Sequence, residues 1–137
     1  MTSNVLSAQE IFDYLKTYQP AIFSRFSGVS RIIDLNSDNM DDIMPLVINR
    51  NTRDPTSFVF LLSADNNPDA VGHFVCVYKR PRSQQWMYFD SLGFPMPEVL
   101  AKKFPNLEYV PRIFQDIKGD QCGLFCLKKI ISSQGKT

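Results

Sequence analysis

The sequence predicts an α+β domain: a small central sheet, mixed or antiparallel, flanked by helices. Apolar runs of strand length crowd the middle of the chain, while helical patterns stand near both ends. No repeat, linker or low-complexity stretch divides the 137 residues, so residues 1–137 read as one domain with enough chain for its own core.

Each element has its own signal. Ser7-Ala-Gln-Glu10 is a capping-box pattern, and Ile11, Leu15 and Tyr18 follow at helical spacing until Pro20, giving a helix over 7–18. Residues 21–56 are ambiguous, with 31–34 and 45–49 suiting short strands or turns. Ser57-Phe-Val-Phe-Leu-Leu62 is a buried strand that ends in the loop 64–69. Strands are expected over 71–79 and 85–90. A short helix follows over 97–104, with Pro97 in its first turn. A short strand is expected at 107–110, and a largely buried helix over 122–132.

Composition removes several function classes. Lys+Arg 15 against Asp+Glu 14 leaves a net charge of +1, so no global field draws the chain to nucleic acid or an anionic membrane. With one histidine, zinc sites that need two or three His ligands are excluded. Three cysteines make no secreted disulfide framework, and neither a signal-peptide pattern nor a glycosylation sequon is visible. No apolar run approaches the ~20 residues of a membrane span. The expectation is an intracellular protein in a reducing compartment, with no cofactor, metal or membrane partner.

The motifs sort by elimination. Asp34 to Asp42 opens like a calcium loop, but Asn39 stands where the turn glycine belongs and Pro45 where the bidentate glutamate belongs, so it reads as a solvated loop. Lys79-Arg80-Pro81-Arg82 reads as a solvated hairpin tip. If that turn centres between Pro81 and Arg82, His73 lies directly opposite Asp90, on the same face of the sheet. A slip of one residue would separate the two. Taken alone, the pair better suits a half-buried histidine and a strand-end aspartate that cap the sheet edge.

Cys122-Gly123-Leu124-Phe125-Cys126 opens the last helix. A thiol at a helix N-terminus faces unpaired N–H groups and the positive end of the dipole, which favour a thiolate nucleophile. A packing role is the alternative, and Cys126, one turn further in, suits it well. The C-x-x-x-C spacing argues against a redox pair. His73 and Cys76, three apart on one strand, point to opposite faces and argue against a Cys₃His zinc site.

Taken together, Gly72-His73-Phe74, Tyr88-Phe89-Asp90-Ser91-Leu92-Gly93 and Gln115 to Gln121 followed by Cys122-Gly123-Leu124-Phe125-Cys126 resemble the adenovirus protease (adenain) family. They are also similar to the SUMO and ubiquitin-like-protein proteases. The resemblance covers about residues 57–132 and implies a papain-like core in the adenain permutation. By that resemblance His73 is the general base and acid, Asp90 orients it where adenain carries Glu, and Cys122 is the nucleophile. Gln115 donates its amide to the oxyanion. Trp86 and Gly123 are candidate substrate-binding residues.

The implied activity is that of a thiol endopeptidase cutting polypeptides after small residues, Gly foremost, in the maturation of viral or viral-element structural proteins. Processing or deconjugation of ubiquitin-like proteins is the alternative. A YopJ-type acetyltransferase, or a non-catalytic binding module on the same fold, are further readings. Nucleic acid or an activating peptide as a further partner is left open.

Overall fold

The computed structural model describes residues 6–62, 73–80, 82–110 and 122–134. Helix α1 (Ala8–Tyr18) begins at Ser7, whose hydroxyl accepts from the Glu10 N–H while the Glu10 carboxylate accepts from the Ser7 N–H. The expected capping box is formed. Pro20 ends α1 but also starts a helical turn, α2 (Pro20–Phe23), because its fixed φ suits a first helical position.

The ambiguous segment resolves into β1 (Phe26–Ile32), a 3₁₀ turn at Met40–Asp42 and β2 (Ile43–Ile48). The acidic stretch before that turn is held by local Asx contacts: the Asp34 carboxylate accepts from the Asn36 N–H at 3.1 Å, and the Asn39 side chain caps Asp41 at 3.0 Å. Then come β3 (Ser57–Leu62), β4 (His73–Lys79), β5 (Trp86–Phe89), α3 (Glu98–Lys103), β6 (Glu108–Val110) and α4 (Cys122–Gln134). The expected loop at 64–69 lies outside the described residues.

Among the described residues, six strands form one mixed sheet in the order β2-β1-β3-β4-β5-β6. The β1/β3 and β5/β6 pairs are parallel and the other three antiparallel. Successive side chains of a strand alternate between faces, and the two cores follow from that. Phe74, Cys76 and Tyr78 of β4 face α1 and α4, meeting Ile11, Leu15, Cys126, Leu127 and Ile130. Val75 and Val77 face the other way, into a core with Tyr88, Val99, Leu100 and Phe104 of β5 and the α3 region.

Helix α4 runs along β4 in the same direction. The Phe74 N–H donates to Cys122 Sγ at one end, and Gln134 Nε2 donates to the Lys79 carbonyl at the other. Thirteen helical residues span about 18 Å and the strand from Phe74 to Lys79 about 17 Å, so the two match in length. Gln134 also accepts from the Thr56 hydroxyl at 2.6 Å, which ties the helix end to the start of β3.

Gly28 lies next to the bulge at Val29/Ser30, where β1 and β2 change register. Its φ is +130°, and a Cβ there would sit 2.1 Å from the Val47 carbonyl oxygen. Only glycine satisfies both the dihedral and the close approach. Gly28→Ala is expected to lower unfolding stability by about 3 kcal/mol, read as a drop in the urea midpoint at unchanged slope. A midpoint within about 0.5 kcal/mol of the parent would contradict this packing.

Candidate active site

The ladder between β4 and β5 sets Cys76 opposite Phe89 and Lys79 opposite Trp86. This register differs from the expected one by two residues. The Ser83 N–H closes a turn onto the Arg80 carbonyl at 3.0 Å, with Arg82 at φ +67°, close to the expected turn centre. Gln84 and Gln85 then leave the ladder; the Gln85 N–H bonds Ser83 Oγ at 3.1 Å and its amide reaches the Asn106 carbonyl. Those two extra residues move the pairing by two, which preserves the face. Continued past Phe89, the register sets Val75 opposite Asp90 and His73 diagonal to it.

His73 Nε2 bonds Asp90 Oδ1. The carboxylate is fully buried, and its remaining capacity is filled by the chain that follows. The Leu92 N–H reaches Oδ1 at 2.8 Å and the Phe94 N–H reaches Oδ2 at 3.2 Å. The Gly93 N–H bonds the Asp90 carbonyl at 3.0 Å, and Gly93 itself has φ +72°, the left-handed region in which glycine is at ease. Asp at the first and Gly at the fourth position of a turn is a sequence signature, so this loop was legible.

With Nε2 committed, His73 has only Nδ1 left. That nitrogen is buried and makes no hydrogen bond of ordinary geometry among the described residues. Cys122 lies close enough to the ring to raise its proton affinity. The sulfur is itself held by the Phe74 N–H at 3.2 Å. His73 thus lies between a buried carboxylate and the thiol that opens α4, with its side chain 17% exposed.

Burial opposes charging the ring and lowers its pKa. The hydrogen bond to Asp90, the charge of that carboxylate and the neighbouring Cys122 sulfur outweigh that cost and raise the pKa from 6.5 to about 9. Burial pushes the Cys126 thiol well up, and contact with Cys76 adds to the rise. Both are buried in the core.

Two proposed contacts are not brought to this site. Trp86 lies opposite Lys79, six residues along β4 from His73 and so about 20 Å away. It packs on Phe58 and Phe104 at 5.6 and 5.1 Å, beneath the Lys79 ammonium. It shares the face of Asp90 but stands four residues along β5 from it. Gly123 is buried, and a Cβ there would meet Ile11, Leu6 and Phe74, each at 3.3 Å. It is the point of close approach between α4, α1 and β4. Gln115 lies outside the described residues. Phe94, which sequence reasoning missed, sets its ring edge-on to His73 with centroids 6.2 Å apart.

The fold matches two crystal structures of the ASFV pS273R protease, a SUMO-protease-like cysteine protease of adenain type. The selenomethionine form matches with a TM-score of 0.53 at 16% identity, and a second structure with 0.51 at 19%. Each match covers 97% of this chain and 59% of that one, so this chain spans about three fifths of that protease's length. No family model matches the chain, and no curated protein sequence does. None of the described helices is long and apolar enough to cross a membrane.

Since this is the chain's one histidine, its NMR titration is unambiguous. The ring signal is expected to titrate near pH 9, and to fall toward or below 6.5 in Asp90→Asn, where burial acts with less opposition. Folding raises this pKa, so charged His73 contributes fully to stability below about pH 6.5, and the contribution is lost as pH rises through about 9. A parent titration at 6.5 would contradict the pairing with Asp90.

Proposed function

We propose that this chain is a cysteine endopeptidase with Cys122 as nucleophile, His73 as acid and base, and Asp90 as the group that orients His73. The observation that carries the reading is the place of His73, bonded through Nε2 to a buried carboxylate and lying next to a thiol at a helix start. The cysteine-protease fold supports it.

In this reading the thiol proton passes to His73, whose pKa of about 9 suits it to hold that proton at neutral pH. Cys122 Sγ attacks the peptide carbonyl carbon, and the C–O π electrons move to oxygen. The backbone N–H of Cys122 and the side-chain amide of Gln115 hold that oxyanion. The C–N bond breaks as His73 passes its proton to the leaving amine. Neutral His73 then takes a proton from water, which attacks the thioester; the acid product leaves and the Cys122–His73 pair is restored. Asp90 keeps the ring aligned through both transfers.

The substrate is proposed to be a polypeptide with a small residue, Gly foremost, before the scissile bond. Precursors of viral or viral-element structural proteins are the proposed natural targets. A panel of Gly-containing peptides and ubiquitin-like precursors, read by product mass, tests this. Cleavage after Gly that is lost in Cys122→Ala and retained in Cys76→Ser and Cys126→Ser is the expected result. Gln115→Ala is expected to lower kcat about 10²-fold with a smaller change in KM. Cleavage that survives Cys122→Ala, or none by the parent on any member, overturns the reading.

A further inference from the structure

Phe94 is a large aromatic ring that neither core uses: it is 55% exposed. A lone exposed ring is ordinary on a protein surface. The fixing of this one is not. Its N–H is bound at 3.2 Å to Asp90 Oδ2, on the carboxylate whose other oxygen bonds His73, and its ring stands edge-on to the imidazole at 6.2 Å. One buried group therefore sets both the histidine and the exposed ring. Gly93 and the Gly93–Asp90 backbone bond shape the turn between them.

The reaction dictates what passes beside His73. The ring must deliver a proton to the nitrogen of the leaving amine, so that nitrogen comes within hydrogen-bond reach of the imidazole. The residue that follows the scissile bond is attached to it, and its side chain meets the surface next to His73. An apolar ring held there gains by covering apolar atoms and offers nothing to a charged group.

We infer that Phe94 is a specificity-determining residue that seats the side chain just after the scissile bond, so that preferred substrates carry an apolar residue there. The inference rests on the endopeptidase reading and deepens it.

The test is a peptide series with Gly fixed before the scissile bond and Leu, Phe, Ser or Asp after it. Enzyme concentration is set for each variant by titration with a Gly-Gly vinyl sulfone probe. The parent is expected to favour Leu and Phe in kcat/KM, and Phe94→Ala to reduce the Leu-to-Ser ratio about tenfold. Phe94→Lys should raise Asp relative to Leu, a gain that simple loss of fold cannot produce. A ratio unchanged in both variants overturns the inference while the endopeptidase reading stands. So does an equal loss on every peptide with the alkaline limb moved below pH 9, which makes Phe94 a cover for the His73–Asp90 bond. No probe labelling and no cleavage by the parent overturn both.

Discussion

The site is organised around the burial of one carboxylate. Asp90 has no contact with solvent, and an ionised carboxylate in that position is sustainable only when its oxygens are fully engaged. His73, the Leu92 N–H and the Phe94 N–H supply the donors. Two of the three come from the turn that Asp90 itself begins, and the third from the neighbouring strand. The carboxylate therefore joins the end of β5, its following turn and the start of β4. It also raises the proton affinity of His73 against the effect of burial. A residue without an acceptor side chain at that position would leave backbone donors unsatisfied and the ring unaligned at the same time.

The second requirement is that a thiol reach His73 from a different part of the chain. Helix α4 supplies it by lying along β4 at matched length, secured at both ends by hydrogen bonds to that strand. The close approach at Gly123 brings the first turn of the helix down onto Phe74, Ile11 and Leu6. Cys126, one turn on, points into the core beside Cys76, where burial keeps it protonated. All three free cysteines are buried; Cys122 opens α4 next to His73 as the candidate nucleophile, and Cys76 and Cys126 pack against each other.

Much of this was legible in the sequence wherever the signal was local or depended on parity. The capping box, the strand at 57–62 and the terminal helix follow patterns of a few residues. The pairing of His73 with Asp90 needed only the correct face, and a register displaced by two keeps the face. Trp86 shares that face but stands four residues along β5 from Asp90, a separation that alternation alone does not register. Gly123 looked like a site residue because it neighbours Cys122, whereas its cause is tertiary contact that no local pattern displays. The β1 and β2 strands were ambiguous because Gly28, a bulge and Pro45 interrupt the alternation. Phe94 could have been found by carrying the Asp-to-Gly turn one residue further.

The central claim is that His73, held by Asp90, activates Cys122 alone among the three cysteines. Its most direct test mixes the protein with a peptide thioester ending in Gly, quenches in acid within milliseconds to seconds, and maps the acyl group by peptide mass. The account predicts rapid acylation at Cys122, slowed at least 10²-fold in His73→Ala. Acylation at Cys76 or Cys126, or a rate at Cys122 indifferent to the loss of His73, would contradict it.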